Sequence, residues 1–570
     1  MDNVVYDMSQ SSEQAPSIFL RKDWISVMDN NNTSYSSNNL TLDTSALSNS
    51  NKYISWREGF LSVPLLLTVT SNAAWACSTA ATSADYGFGL KNSYASVIHS
   101  IQVDLQGSTI IQQTAFINLW NNFRLITTLS WQDVASIGSS IGFYPDTSTS
   151  YEASSAVGLC GVGVCNNNNL QLAPVVSAIL NQQESFNRGL YERQRAFNFN
   201  PAAATGVGGT QLFSALVSAT NLRNIYKSYI QTQQGGASGT NSLQFCIQAN
   251  IMLRHLHPFF DKMVLSKGVF MKITLMLNNA TTVVPAVTTT SLGVPAVNVP
   301  SGGINPIMIA SMNSGGTSAT SNGNAALVTA SYSVSLSVGA SVLGGVNGAG
   351  SNANVVGGVL ARSVMLNVPS VVFNPVFESA YLSSPIKNIE YSDVYSYQVV
   401  NIGSTNTLNN LITNGIANIK SVLVLPFYNA SYNATLALSP LLSPYDDCGG
   451  GPTSPLCHLY NFNVQISGQN AIYNNQRYTY EAFLQQLNGQ NAINGNLVDG
   501  LGSSLISQLD FENKYCYYYV NVERQLPIER SVPKSVVLQG VNASMFAVDY
   551  YVFLEYGQNL SLNVLLGSRV

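Results

Sequence analysis

Two of the chain's four histidines stand together at Arg254-His255-Leu256-His257. If this stretch is a strand, its period of two puts both imidazoles on one face, with Asp261 four residues beyond His257. A His-x-His pair with a carboxylate is a metal-ligating pattern. Here no Glu follows at the usual place, and the remaining downstream histidine is the distant His458. Pro258–Lys262 reads better as an aromatic turn leading into the last strand of its unit. Cys160 and Cys165 sit on a glycine loop. Cys448 and Cys457 flank a Gly-Pro stretch beside Asp446, Asp447 and His458, with spacing looser than the paired cysteines of structural zinc sites. Each pair is open to a local disulfide, a metal or no partner. Seven cysteines are an odd, sparse set and do not suggest a disulfide framework.

Phosphate chemistry finds no support either. No Walker-type loop, no G-x-G-x-x-G after a strand and no G-x-S-x-G elbow occurs, and the Gly344–Gly350 run lacks a following Lys-Ser/Thr. Arg188, Arg193 and Arg195 fall on a polar helix candidate, Ser185–Phe199, which could contact DNA but is expected to face solvent or a partner. With 28 scattered acids there is no acid–base constellation. The expectation is a chain with no catalytic, cofactor-binding or metal-ligating residues.

The elements carrying these residues are strands. Leu459–Tyr473 alternates Tyr460, Phe462, Val464 and Ile466 with Asn461, Asn463, Gln465 and Ser467, then turns at Gly468-Gln469-Asn470. Far upstream, Ile101–Gly107 repeats the pattern against Phe462–Gly468. Each copy follows an apolar strand, Leu61–Val69 or Ser421–Phe427, at an offset of about 40 residues, as a repeated unit predicts. Each precedes an aromatic helix candidate, Phe116–Phe123 or Tyr480–Leu487. Alternating strands after Gly268 and Gly557 would close the two units. Pro64 argues for a strand start or an edge position.

These marks divide the chain into a polar arm over 1–17, a first unit over 18–280 and a second over 361–570. An insertion interrupts the first at about 138–240, with helix candidates at Ser185–Phe199 and Leu212–Gln231. A Gly/Ser/Thr/Val-rich insertion spans 281–360, with a hairpin at Ala326–Val342, and Ala361–Phe377 opens the second unit.

Composition bears on how such units are used. Of 570 residues, 46% are apolar and 9% charged, where an ordinary soluble domain carries about 25% charge. A surface so poor in charge suits a subunit whose sides are buried against neighbours. The formal net charge of −4, with no basic stripe, argues against specific nucleic-acid recognition. No apolar run is long enough to span a bilayer, and the N-terminus lacks signal-peptide features, so assembly inside a cell is expected.

Phe19–Trp24 (FLRKDW), the WREGFLSVPLLLTV region and NSYASVIHSIQVDLQGSTIIQ resemble the first half of double jelly-roll major capsid proteins, nearest to those of polinton-like viruses and virophages. Ser384–Tyr391, SVLVLPF, SPYDDCGGGPTSPL, NFNVQISGQN and RYTYEAF resemble the second half. The resemblance covers nearly the whole chain outside about 281–360. It implies an all-β fold of two tandem eight-stranded jelly rolls with loop insertions and a few short helices. It further implies a homotrimeric, pseudo-hexameric capsomer of an icosahedral DNA virus, located in the virion shell beside penton and minor capsid proteins. The competing expectations are a metal-dependent cupin-like enzyme centred on His255 and His257, and a carbohydrate-binding fibre or adhesion module.

Overall fold

A computed structural model describes residues 17–30, 38–48, 52–71, 86–90, 92–145, 227–232, 241–278, 280–284, 306–311, 332–338, 354–356, 363–429, 457–472, 477–487, 503–513, 515–523, 530–544 and 547–570. The first unit is built on β1 (Phe19–Met28), β2 (Asn39–Asp43), β3 (Phe60–Ser71), β4 (Ile98–Leu105), β5 (Ser108–Ile111), β6 (Asn241–Met252), β7 (Met271–Leu277) and β8 (Met365–Phe373). The second uses β9 (Ile386–Ile402), β10 (Thr407–Ile416), β11 (Ile419–Tyr428), β12 (Leu459–Ile466), β13 (Gln469–Asn470), β14 (Tyr518–Asn521), β15 (Lys534–Asn542) and β16 (Val548–Asn563).

In the first unit one sheet contains the order β1-β8-β3-β6 and the other runs β2-β7-β4-β5. In the second the sheets run β9-β16-β11-β14 and β10-β15-β12-β13. The two orders are the same when strands are counted from the start of each unit: first, eighth, third, sixth, then second, seventh, fourth, fifth. All the pairings are antiparallel. Burial follows the alternation that makes each strand. Met271, Ile273, Leu275 and Leu277 of β7 are buried while Lys272 and Met276 are exposed.

The matched hairpins are β4–β5 and β12–β13. Gln106 and Gly107 turn the first with φ of 47° and 82°; Ser467 and Gly468 turn the second with 52° and 81°. Two successive left-handed residues make the type I′ turn that suits the twist of a two-residue hairpin, and glycine takes the second position without Cβ strain. Helices α1 (Ile117–Thr128) and α2 (Trp131–Ile141) follow the first hairpin. α2 starts on a capping box, Ser130 Oγ accepting from Asp133 N while Asp133 Oδ2 accepts from Ser130 N. Short helices α3 (Leu253–Leu256) and α4 (Phe259–Lys262) link β6 to β7, and α5 (Pro375–Leu382) links the units. α6 (Tyr480–Leu487) and α7 (Gln508–Asn513) lie between β13 and β14.

Several expectations are corrected. Met365–Phe373 closes the first unit, since it pairs with β1 and β3, so the second begins after it and not at residue 361. The counterpart of the strand after Gly268 is accordingly β15, and that of β16 is β8. The 281–360 stretch therefore lies within the first unit's strand order, and its described strands enlarge that unit: 332–338 pairs with β3 and with 280–284, not in a local hairpin. Residues 227–231, the end of the second helix candidate, are strand; the rest of that candidate and all of Ser185–Phe199 lie outside the described residues. Pro64 is mid-strand opposite Gln248, in the gap between the residues of β3 that β8 takes (60–62) and those that 332–338 takes (65–71). A missing N–H is tolerated at such a break.

Candidate functional site: the junction between the two units

Strands of the second unit serve two cores. Val422 and Val424 of β11 and Val552 and Leu554 of β16 fill the interior of the second sandwich. The alternate residues Leu423, Leu425, Phe427, Tyr551 and Phe553 join the core of the first unit. This sheet is thus buried on both faces, which explains why SVLVLPF is a continuous apolar run rather than an alternating one. Ring contacts fasten the seam: Phe116 meets Tyr551 edge-on at 4.9 Å, Phe123 meets Tyr517 at 5.1 Å and Phe259 meets Tyr391 at 5.0 Å. Tyr391 donates its hydroxyl to the Ile110 carbonyl at 2.9 Å, and Thr114 donates to the Val394 carbonyl at 2.6 Å.

A polar knot lies within this apolar seam. Asp393 on β9 is 2% exposed. Its Oδ2 accepts from the Tyr556 hydroxyl at 3.0 Å, and its Oδ1 accepts from Val394 N at 2.8 Å. His257, after α3 of the first unit, places Nε2 3.3 Å from Asp393 Oδ1. Phe259 N donates to His257 Nδ1, so Nε2 carries the ring proton and donates to the carboxylate. Burial, and the Asp393 charge, push the Tyr556 hydroxyl well above its ordinary pKa, so it stays protonated and donating.

The expected pairing of His255 and His257 on one strand face does not occur. Leu253–Leu256 is helical, so the period of two on which a common face depends does not apply. His257 is committed to Asp393, whereas His255 is buried beside Arg254 and Arg124. Burial first, and then the two guanidiniums, hold the His255 imidazole down at about 3, so it is neutral. Burial lowers the Arg124 guanidinium to about 10. Its Nη2 donates to the Arg254 carbonyl at 2.9 Å, and it stacks over Trp120 at 5.5 Å. Asp261 is ion-paired with Arg57 at 3.0 Å. Among the described residues no three His, Cys, Asp or Glu side chains are placed to hold a metal ion. Cys457 is buried, while Cys160, Cys165 and Cys448 lie outside the described residues, as do Arg188, Arg193 and Arg195.

Sequence reasoning missed Asp393, Tyr556 and Arg124. The signal was there for Asp393, a lone carboxylate between Tyr391 and Tyr395 in a stretch of strand residues, and for Arg124, a lone cation in the aromatic helix α1.

Outside the seam, apolar groups face solvent. Leu20, Trp24 and Met28 of β1 are 63%, 54% and 66% exposed; even spacing sets Trp24 and Met28 on one face of the strand, while Leu20 lies at a register irregularity between Phe19 and Arg21. Tyr395, Tyr397, Val400 and Leu411 are exposed on the second unit. No helix among the described residues is long and apolar enough to cross a membrane.

No protein-family model and no curated protein matches the chain. Solved structures do. A cryo-EM structure of the Sputnik virophage aligns over 97% of this chain and 88% of its own, at 11% identity and a TM-score of 0.49. The mavirus major capsid protein aligns over 99% and 94% at 9% identity and a TM-score of 0.39. The Faustovirus major capsid protein aligns over 98% and 93% at 7% identity and a TM-score of 0.40. The fold assignment rests on the strand order of this chain itself, repeated in both units. The chain is a double jelly roll.

Proposed function

We propose that the chain is the major capsid protein of an icosahedral DNA virus, and that it works by self-assembly rather than by catalysis. The observation that carries this reading is the placement of the long connections. Strands of a jelly roll alternate in direction, so the links after the first, third, fifth and seventh strands leave from one end. In the first unit those links are 29–38, 72–97, 112–240 and 278–364, while the links at the opposite end are 44–59, 106–107 and 253–270. In the second unit the longest, 429–458 and 471–517, leave from the corresponding end; at the opposite end the turn after the fourth strand is only 467–468.

Two sandwiches fused through a shared core, with the longer connections leaving from one end, form a block with an inside and an outside. Such a block tiles a shell. Three copies would present six sandwiches, giving a pseudo-hexameric outline from a trimer, and would bury the charge-poor flanks against neighbours. Neighbouring capsomers, penton proteins and minor capsid proteins are the partners this reading implies, and the virion shell is its location.

Mass measurement of the purified full-length chain by sedimentation, with negative-stain microscopy, tests the proposal. Trimers with a hexagonal outline are expected. A monomer that persists at high concentration overturns it.

A further inference from the structure

Polar atoms without partners occur on three elements that meet beside the His257 knot: α1, α3 and the turn at Trp56–Glu58. α3 contacts both of the others. From α1 come Asn118 Oδ1, both side-chain atoms of Asn121 and Arg124 Nη1; from α3 come Arg254 Nε and His255 Nε2; from the turn comes Trp56 Nε1. All are buried, and none has a hydrogen-bond partner among the described residues. Trp56, Asn118, Asn121 and His255 are themselves more than nine-tenths buried.

Each such atom is costly to bury alone, and a guanidinium more so. Asn118, Asn121 and Arg124 succeed one another at three-residue steps and so form one ridge of α1. Neither Arg124 nor Arg254 forms an ion pair among the described residues. Asp261 and Glu555 attract Arg124 only at longer range, and each is already engaged, Asp261 with Arg57 and Glu555 with the Ser421 hydroxyl. The chemistry left over is one nitrogen from each of two guanidiniums, an indole N–H, an amide N–H and an imidazole nitrogen, against two amide oxygens that need a donor.

We propose that these side chains together bind a tetrahedral oxyanion that carries a hydroxyl, inorganic phosphate being the fitting species. Its oxygens would accept from Arg124, Arg254, Asn121 and Trp56, and its O–H would donate to an amide oxygen of Asn118 or Asn121. Guanidinium forks match such oxygens in geometry as well as charge. The bound anion would brace α1 against α3 beside the seam, whether or not the chain builds a shell.

Equilibrium dialysis of the full-length protein with radiolabelled phosphate, paired with melting curves in phosphate, sulfate or chloride at matched ionic strength, decides the matter. One phosphate per chain is expected, with a rise in melting temperature that chloride does not reproduce. Arg124→Gln should weaken phosphate binding at least ten-fold, and Arg254→Gln, at a half-buried position, serves if the first variant fails to fold. Arg477→Gln, an exposed arginine elsewhere, should leave binding unchanged. Absence of stoichiometric phosphate, or wild-type binding by a folded Arg124→Gln or Arg254→Gln chain, overturns the proposal. Sulfate binding as tight as phosphate would remove the hydroxyl requirement and overturn the choice of anion.

Discussion

His257 and Asp393 meet at 3.3 Å across 136 residues of sequence, one from each roll. The contact sits inside a seam otherwise made of aromatic rings and aliphatic strands, where an unmatched charge is costly. His257→Ala removes the donor and leaves the Asp393 carboxylate with only Tyr556 and Val394 N. A loss of about 2–3 kcal/mol is expected, in the range for a lost hydrogen bond to a buried charged group. Asp393→Asn keeps the shape and removes the charge, so a smaller loss of about 1–2 kcal/mol is expected. Chemical denaturation of both variants checks the order; equal losses would mean the charge contributes nothing.

Acid should weaken the same region through His255. Its ordinary pKa of 6.5 falls to about 3 in the fold, because burial and the neighbouring Arg254 and Arg124 oppose a further charge. Between those values the unfolded chain binds a proton that the folded chain refuses. Stability therefore falls as pH is lowered through that window, by up to about 1.4 kcal/mol per pH unit. Carboxylates titrate near the lower end, so the informative quantity is the difference between wild type and His255→Gln. The variant should show a shallower decline between pH 6.5 and 5. Parallel curves would show that His255 is not held neutral.

The two hairpin turns give a matched pair. Gly107 and Gly468 both sit at φ near 81–82° with open space where a Cβ would go. Alanine at either position meets no neighbour, so backbone strain alone is measured. About 1–2 kcal/mol is expected at each site, and about the same at both. Asn, which tolerates the left-handed region, should recover part of it. A clearly unequal pair would mean that the turns, though alike in geometry, differ in their contribution to stability.

What the sequence made legible was local. The turn glycines, the 40-residue offset and the helix after each hairpin are set by residues near one another, and they located the duplicated hairpins correctly. What it hid was which sandwich a strand joins. Met365–Phe373 follows a long insertion, and only its pairing with β1 assigns it to the first roll. The His-x-His pair misled because a single turn of helix replaced the strand. The junction could not be read at all, since its partners are brought together by the packing of two domains.

Leu459–Ile466 shows the same limit on a smaller scale. Its alternation placed Tyr460 with Phe462 on the apolar face, yet Tyr460 is exposed, because a bulge with Asn461 at φ 51° shifts the register between Tyr460 and Asn463. Asn463 is 1% exposed: its Nδ2 donates to the Ile472 carbonyl at 2.8 Å, and its Oδ1 accepts from Val464 N and Ile472 N. It ties the hairpin and is no surface amide. Asn463→Ala should therefore cost about 2–3 kcal/mol by denaturation. Gln465→Lys, with only an exposed bond to Asn470, should stay within about 0.5 kcal/mol of wild type. The reverse order would contradict these assignments.

The exposed face of β1 supplies the most direct test of assembly. Met28 projects to solvent on the same face as Trp24, Leu20 is exposed on the same strand, and β1 lies at the end of its sheet, where a neighbouring subunit has access. Side chains this exposed contribute little to the fold of one chain, whereas contiguous apolar surface marks an interface. Leu20→Glu with Met28→Glu would place two carboxylates on that strand. If it is buried between copies, those charges must be desolvated without partners, at a cost large enough to empty the trimer population. The expected result is a chain that melts within a few degrees of wild type yet sediments as a monomer. A double variant that still sediments as a trimer would remove β1 from the interface and leave Tyr395, Tyr397, Val400 and Leu411 as the next surface to change.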